Sequence, residues 1–205
     1  MNKILKNYLL PEGLKVLLPD EAKKEELVSR KVLDQFFKYG YLLVKTPMLE
    51  YDGLQETEII KSNNDDSFLL MEPETKKVLI LRSDITPQIA KLANSKLKKL
   101  SRPLRLTYSG EVLRNTKNIY QSDKQFKQIG AEIIGVPSNQ SIYEILNITF
   151  DLLKSLNINN FTVDFSLPSI SRYLEKIVLK QNDDGELIQH ALENKDSSLI
   201  SKKKI

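Results

Sequence analysis

The chain has 205 residues, of which 40% are hydrophobic and 28% charged, the composition of an ordinary globular protein that can bury a core. It contains no cysteine and a single histidine, His190, which excludes a disulfide framework, a thiolate zinc site and a Cys/His catalytic pair. No apolar run approaches the roughly 18 residues of a membrane span, and the N-terminus lacks a signal-peptide pattern. We therefore expect a cytoplasmic protein without a metal or cofactor.

The net charge of +4 results from 31 basic and 27 acidic residues. The basic excess is concentrated in residues 96–102 (KLKKLSR) and 201–205 (SKKKI). Nucleic-acid-binding proteins usually carry a larger and more patterned surplus, with aromatic residues among the basic ones. We interpret these lysines as solvated helix faces, and neither nucleic acid nor a membrane is an expected partner.

The first predicted helix runs from about Asp20, a suitable N-cap, to Tyr39, and Gly40 is its stop signal. Its apolar side chains recur at helical spacing. They are Val28, Val32, Leu33, Phe36 and Phe37. The sequence YLLVKTP, residues 41–47, then predicts a short buried strand that ends at Pro47.

A polar loop is predicted over residues 52–67, which end in the sequence KSNNDDS. Two apolar runs follow it, FLLM at 68–71 and KVLILR at 77–82. They flank the sequence EPET and predict a β-hairpin with a connection of about four or five residues.

The second helix is predicted in the sequence SDITPQIAKLANSKL. Thr86 is a suitable N-cap and Pro87 a suitable first helical residue. Ile89, Ala93 and Leu97 then lie on one helix face. This face is expected to pack on the sheet.

Two further strands are predicted, one in residues 103–115 (PLRLTYSGEVLRN) and one in residues 123–136 (DKQFKQIGAEIIGV), with an exposed loop between them. In the second strand, alternation places Ile129, Ala131 and Ile133 on one face, as a packed layer requires. The opposite face is less uniform. It carries Phe126, Gln128, Gly130, Glu132 and Ile134.

A long helix is predicted to begin at Ser138. Its inward-facing residues follow 3–4 spacing. They are Ile142, Ile145, Leu146, Thr149, Leu152, Leu153 and Leu156. A strand is expected at 160–168 (NFTVDFSLP), followed by helices near 170–180 and 186–194.

These elements predict an α+β fold, an antiparallel sheet flanked by helices. The order of strands and helices does not match a βαβ series. We expect a main domain over residues 1–157, and residues 158–205 as a partial second segment of that domain or an insertion.

Polar residues from separate segments are predicted to meet on one face of this sheet. Asp84 and Thr86 lie where a strand leads into a helix, and Gln128 and Glu132 project from the later strand. Gly130, between the last two, is expected to leave room for a ligand. Two carboxylates and a hydroxyl suit an ammonium ion, such as the α-amino group of an amino acid.

Two alternatives remain open from the residues alone. The carboxylates could instead pair with Arg82, Arg105 or Arg114 in a satisfied network, because a bare buried carboxylate is costly. They could also act as general acid and base, although nothing in the sequence marks a substrate bond or an activated water.

Three segments carry a resemblance to a known family: LRSDITPQIAKLA, RPLRLTYSGEVLRN and QFKQIGAEIIG. Together they resemble the histidyl-tRNA synthetase-like family, and within it the ATP phosphoribosyltransferase regulatory subunits. The resemblance implies a class II aminoacyl-tRNA synthetase-like catalytic core. The sequence GYLLVKTPMLE, residues 40–50, resembles motif 1, a dimer-interface element, and GEVLRN through EIIG resembles motif 2.

By this resemblance, four residues fall on the positions that hold the α-amino group of histidine: Asp84, Thr86, Gln128 and Glu132. Arg114 falls on the motif 2 arginine that meets phosphate, and is a candidate anion-binding residue. The glutamate expected two positions later is Thr116 here. Motif 3 and an RGLDYY-like segment are not found, so the core is expected to be incomplete and shortened.

The resemblance implies a non-catalytic regulatory subunit of ATP phosphoribosyltransferase. Its expected partners are the short-form catalytic subunit, which holds the activity, histidine as ligand, and a second copy of the chain. Three alternatives remain: a histidyl-tRNA synthetase-like enzyme that activates an amino acid, a tRNA-binding module, and a truncated docking paralogue that no longer senses histidine.

Overall fold

The computed structural model describes residues 10–52, 67–115, 123–136 and 138–165. The chain divides into two units, Met1–Asn159 and Asn160–Ile205, and the helices and strands described below all belong to the first. The predicted boundary after residue 157 stays a prediction.

Three helices and six strands are formed by the described residues. The helices are α1 (Pro19–Lys38), α2 (Thr86–Asn94) and α3 (Asn139–Ser155). The strands are β1 (Leu42–Leu43), β2 (Leu49–Tyr51), β3 (Leu69–Met71), β4 (Val78–Leu81), β5 (Leu104–Leu113) and β6 (Gln125–Ile134). No helix in this part of the chain is long and apolar enough to span a membrane.

The strands form two sheets, in the orders β1-β5-β6 and β2-β4-β3. The β5–β6 pair is antiparallel over ten residue pairs, with Tyr108 opposite Gly130, and the second sheet is entirely antiparallel. The predicted antiparallel arrangement is therefore confirmed for these strands. In contrast, β1 runs parallel to β5, with Leu42 opposite Leu106. Alternation could not predict this pairing, because it reports side-chain faces and not the direction of the partner strand.

Helix α1 begins one residue before the predicted N-cap. Leu18 is the N-cap, and the Glu21 carboxylate accepts a 3.2 Å hydrogen bond from its backbone N–H. Pro19 tolerates the first helical position, because the N–H that it lacks would have no partner there. Asp20 therefore lies in the first turn, where its negative charge interacts favourably with the helix dipole. The predicted stop at Gly40 is confirmed by its left-handed backbone, with φ of 78°.

The apolar stripe of α1 is only partly buried. Val32 and Phe36 are buried as predicted, together with Ser29. Val28 and Phe37 are exposed, so the buried stripe is narrower than the apolar pattern.

Helix α2 begins at Thr86, so the prediction of Thr86 as its N-cap was wrong by one residue. Ile85 is the N-cap, and the Asp84 side chain supplies the acceptor for the Thr86 backbone N–H at 2.9 Å. The predicted inner face is confirmed for Ile89 and Ala93, which are fully buried. The helix ends at Asn94, so Leu97 packs on the same cluster from beyond the helix and not from its face as predicted.

The segments before and after β2 differ in how well the sequence predicted them. Only Leu42 and Leu43 of residues 41–47 form a strand, and both are exposed while Tyr41 is buried. The predicted strand was therefore too long, since it ends at Leu43 and not at Pro47, and the prediction that it is buried was wrong. The hairpin is confirmed, because β3 and β4 pair antiparallel and the Glu72 N–H donates to the Lys77 carbonyl at 2.9 Å. Its connection, residues 72–77, is longer than the predicted four or five residues.

Helix α3 begins as predicted, with the Ser138 hydroxyl accepting a 3.1 Å hydrogen bond from the Gln140 N–H. Its inner face is rotated from the predicted one. Ile148 is 1% exposed, whereas Ile142 is 57% exposed and Thr149 is also exposed. Ile145 and Leu152 pack against the cluster that contains Ile148, as predicted. Periodicity therefore identified part of the buried face, but it missed Ile148 and included Ile142 and Thr149.

Two hydrophobic clusters lie on opposite faces of the β5–β6 pair. The first joins α2 to these strands and contains Ile85, Ile89, Ala93, Leu104, Leu106, Tyr108 and Val112. The second joins α1 to α3 and contains Val32, Phe36, Tyr41 and Ile148. The predicted alternation of β6 is confirmed, because Ile129, Ala131 and Ile133 pack on the second cluster and Phe126 and Ile134 on the first.

Several predictions fall in other parts of the chain. Residues 160–165 do not form a strand, which contradicts the strand predicted at 160–168 over its described part. The helices predicted near 170–180 and 186–194 lie outside the described residues, as do most of the 52–67 loop and residues 116–122.

Candidate functional site

A two-way side-chain contact joins β6 to the turn before α2. The Gln128 amide nitrogen donates a 2.8 Å hydrogen bond to Asp84 Oδ1, and its amide oxygen accepts a 2.9 Å bond from the Ile85 N–H. Asp84 Oδ1 also accepts from the Thr86 N–H. The start of α2 thus holds Asp84 at a fixed position beside β6.

The other two predicted residues are joined through a tyrosine. The Thr86 hydroxyl lies 2.8 Å from the Tyr108 hydroxyl, which donates a long, 3.4 Å hydrogen bond to Glu132 Oε1. The structure therefore brings the four predicted residues together on one face of β5 and β6. Sequence reasoning missed Tyr108. The register of β5 against β6 would have indicated it, since an even-numbered residue of β5 shares a face with Gln128 and Glu132 of β6.

Gly130 does not leave the free space that was predicted. Tyr108 lies opposite it in the sheet, and a Cβ built on Gly130 would meet the tyrosine hydroxyl and lie 2.6 Å from Cζ. Because real Cβ atoms essentially never approach another atom this closely, glycine is required here by a protein side chain.

Arg82 and Arg105, two of the arginines considered as partners, bind elsewhere. Arg82 donates to the backbone carbonyls of Glu111 at 2.7 Å and Thr46 at 2.9 Å. Arg105 projects from the opposite face of β5 and makes two 2.7 Å hydrogen bonds to the Glu144 carboxylate of α3. Arg105 is therefore not a partner of the site carboxylates, because odd-numbered residues of β5 face α3.

Arg114, the third arginine, lies beside the site without pairing with its carboxylates. Its guanidinium donates to the Ser83 carbonyl at 3.0 and 3.3 Å and lies 5.4 Å from the centre of the Phe126 ring. Within the described ranges, no lysine or arginine forms an ion pair with Asp84 or Glu132. The alternative of a satisfied arginine network is therefore wrong for both carboxylates.

Burial dominates the electrostatics of Glu132. It raises the pKa of this carboxyl above its usual range, and the nearby Asp84 charge acts in the same direction. Hydrogen bonds from Thr86 and Tyr108 oppose the rise. Burial likewise raises the pKa of the Tyr108 phenol. A cation bound between the two carboxylates would relieve the charge that burial disfavours.

Two cavities of about 600 Å³ lie away from this cluster. One is lined by Tyr39, Arg105 and Tyr143, and the other by Lys24 and Phe126, among others. Neither is lined by the four predicted residues. In the part of the chain that the structure describes, no three histidine, aspartate or glutamate side chains are grouped so that they could hold a metal.

Comparison with known proteins decides the family. The family model described as Histidyl-tRNA synthetase matches residues 13–203. The chain belongs to the histidyl-tRNA synthetase family.

Curated members of this family match along most of the chain, and carry the name ATP phosphoribosyltransferase regulatory subunit. The relative from Rhodospirillum rubrum is 36% identical over 188 residues, which are 92% of this chain and 49% of that protein. The relative from Gluconobacter oxydans is 34% identical over 197 residues, which are 94% of this chain and 51% of that protein. The chain spans about half the length of these relatives. The predicted resemblance to these regulatory subunits is confirmed.

Solved structures of the family share the fold. A Bacillus halodurans protein described as an ATP phosphoribosyltransferase regulatory subunit/histidyl-tRNA synthetase has a TM-score of 0.64 at 28% identity, covering 72% of this chain and 37% of that one. Histidyl-tRNA synthetase from a Nostoc species has a TM-score of 0.64 at 22% identity, covering 97% of this chain and 48% of that one. This similarity supports the fold alone. The predicted class II synthetase-like α+β core is confirmed.

Proposed function

We propose that the chain is a non-catalytic regulatory subunit of ATP phosphoribosyltransferase, which acts in the cytoplasm in the first step of histidine biosynthesis. It binds the short-form catalytic subunit, activates it, and mediates feedback inhibition by histidine. The transferase activity resides in the partner, and the chain forms a homodimer within the larger assembly. The names of its relatives support this role.

The observation that carries the histidine-sensing part is a pair of carboxylates without a cation. Asp84 and Glu132 lie on one face of the sheet, and neither has an ion-pair partner among the described residues. An α-ammonium group donates three hydrogen bonds, so two carboxylates and the Thr86 hydroxyl match its donors. Charge-assisted bonds of this kind are about twice as strong as neutral ones.

Gln128 supports this geometry by holding Asp84. Its amide occupies both Asp84 Oδ1 and the Ile85 N–H, so the second carboxylate oxygen is left for the ligand. Histidine bound here would connect the start of α2 to β6. A ligand that joins two elements can bias the conformation of both, and such coupling between sites typically amounts to about 1–3 kcal/mol.

The test is the activity of a short-form catalytic subunit, with and without this chain, across a histidine titration. We expect the chain to activate the transferase and histidine to reverse the activation. Glu132→Gln should retain activation but lose sensitivity to histidine. Activation that histidine never affects, in the wild-type chain, would identify a docking paralogue without a sensor. No activation at all would contradict the regulatory role.

Arg114 favours a second candidate, an amino-acid-activating enzyme that resembles histidyl-tRNA synthetase. Its guanidinium bonds to the Ser83 carbonyl, next to Asp84 in sequence, so an anion bound there would lie close to the amino-acid site. Thr116, which replaces the expected glutamate, counts against catalysis. Histidine-dependent exchange between ATP and pyrophosphate separates the two candidates. The regulatory role predicts no exchange above background.

A further inference from the structure

Tyr108 lies at the centre of the candidate site, although no part of the proposed function assigns it a role. It is 4% exposed and belongs to the cluster that joins α2 to the sheet. Its hydroxyl is within hydrogen-bonding distance of both Thr86 Oγ1, at 2.8 Å, and Glu132 Oε1, at 3.4 Å. It is therefore a polar link between α2 and β6, inside an otherwise apolar cluster.

The chemistry of the three groups limits the hydrogen bonds in this link. An ionised carboxylate can only accept, so Tyr108 donates in its 3.4 Å contact with Glu132 Oε1. Either hydroxyl can donate in the 2.8 Å contact between Tyr108 and Thr86. When the phenolic hydrogen is directed to Glu132, the Thr86 hydroxyl donates to Tyr108, and the Thr86 oxygen can accept from an ammonium ligand.

We propose that Tyr108 is a positioning residue for ammonium recognition, because its hydroxyl orients the Thr86 hydroxyl and the Glu132 carboxylate toward the ligand. The proposal rests on the proposed function, since it concerns the same site. Tyr108 acts through its two neighbours and need not touch the ligand itself.

The position of the tyrosine ring is determined by Gly130. The missing Cβ of Gly130 leaves the space in which the Tyr108 ring lies, with Cζ and Cε2 at 2.6 and 3.0 Å from where that Cβ would be. Tyr108 belongs to the same buried cluster as Ile85 and Leu106, and close packing in such a cluster limits the movement of the ring. A side chain held in this way orients its partners at little entropic cost.

The titratable groups that shift the Glu132 pKa are Asp84 and Tyr108, and the Glu132 charge is in turn a minor cause of the raised pKa of the Tyr41 phenol. Burial raises the Glu132 pKa most, hydrogen bonds from Thr86 and Tyr108 lower it, and the Asp84 charge raises it. Removing the phenolic hydroxyl should therefore raise the Glu132 pKa further. Ammonium binding needs the ionised carboxylate, so the pH at which affinity rises should move upward in the same variant.

The test is Tyr108→Phe, with Tyr41→Phe as a matched control. Tyr41 is equally buried, and its hydroxyl donates to a carboxylate of the other cluster, Glu144 Oε1, at 3.1 Å. Histidine affinity of the full chain is measured by calorimetry between about pH 5 and 8. We expect Tyr108→Phe to weaken binding about threefold to tenfold and to move its pH profile upward. Tyr41→Phe should change neither the histidine affinity nor its pH profile.

A second readout separates this proposal from the proposed function. The Glu132 carboxyl is titrated by ¹³C NMR without ligand, and should titrate at higher pH in Tyr108→Phe than in the wild-type chain. If the wild-type chain does not bind histidine, the proposed function fails, while this titration still decides whether Tyr108 acts on Glu132. Unchanged affinity and unchanged titration in a folded Tyr108→Phe would overturn the proposal.

Thr86 provides a further pair of variants if Tyr108→Phe does not fold. Thr86→Ser retains the hydroxyl that hydrogen-bonds with Tyr108, and Thr86→Val removes it at similar size. We expect Thr86→Val to bind histidine more weakly and to change the titration of Glu132. Thr86→Ser should keep the histidine affinity and the Glu132 titration of the wild-type chain. Equal behaviour of the two variants would count against the hydrogen-bonded chain.

Discussion

The Gln128 amide and the Asp84 carboxylate are joined by a 2.8 Å hydrogen bond, although the two residues are 44 positions apart. The contact holds the turn before α2 against β6. It also fixes one oxygen of a carboxylate that has no ion-pair partner among the described residues. Strand β6 therefore holds Asp84 in position and also supplies side chains that could bind the ligand.

Removing this support should weaken histidine binding. Gln128→Ala deletes a hydrogen bond to a charged group, so we expect affinity to fall by about tenfold or more. Gln125→Ala is the matched control, because Gln125 lies on the same strand and is exposed, and its amide donates a long, 3.5 Å hydrogen bond to Glu111 and none to Asp84. Calorimetric titration measures both. Equal loss in the two variants would contradict a specific role for Gln128.

Glu132 should make stability and binding respond to pH in opposite directions. Its pKa is raised in the folded chain by burial, so the folded state binds more protons than the unfolded state, and stability falls as the pH rises through that pKa. Affinity for an ammonium ligand rises over the same range. Glu132→Gln should remove both effects, with unfolding temperature retained or increased. Thermal denaturation and calorimetry across pH are the measurements, and an unfolded variant would support a structural role instead.

The Arg105–Glu144 pair should contribute stability that is lost in acid. Arg105 and Tyr41 hold the Glu144 pKa below its usual range, so this stability is present above the unfolded pKa and disappears as the pH falls through the folded value. Both side chains are partly exposed, which limits the loss in Glu144→Gln to about 1 kcal/mol near neutral pH. Urea denaturation at two pH values tests this. Histidine affinity should stay unchanged, since the pair faces α3.

The buried face of α3 can be tested with two isoleucines of the same helix. Ile148→Ala removes a fully buried side chain, and we expect a loss of about 2–4 kcal/mol in the free energy of unfolding. Ile142→Ala should change it by about 0.5 kcal/mol or less, because Ile142 is largely exposed. Urea denaturation measures both. A larger loss for Ile142→Ala would restore the helix face predicted from periodicity.

The segment that resembles motif 1 is expected to form the homodimer interface. Leu42 lies within it and is 66% exposed, so Leu42→Lys should weaken the dimer. Met71→Lys is the control, since Met71 is equally exposed but lies outside residues 40–50. Sedimentation velocity should give a dimer for the wild-type chain and for Met71→Lys. A wild-type monomer at micromolar concentration would contradict the dimer.

Local patterns in the sequence determined much of the fold. The period-2 alternation of β6 predicted which residues pack on each side, and the Ser138 cap predicted the start of α3. Sequence resemblance also selected Asp84, Thr86, Gln128 and Glu132, which the structure brings together. Patterns of this kind succeed because backbone geometry alone sets the face on which each side chain lies.

Tertiary contacts decided the rest. The parallel pairing of β1 and the buried face of α3 depend on which element lies opposite, and side-chain period contains no such information. Tyr108 entered the site for the same reason, since only the β5–β6 register places it over Gly130 and between Thr86 and Glu132. The sequence determined which polar residues could form a site. The pairing of distant strands determined which buried hydroxyl orients them.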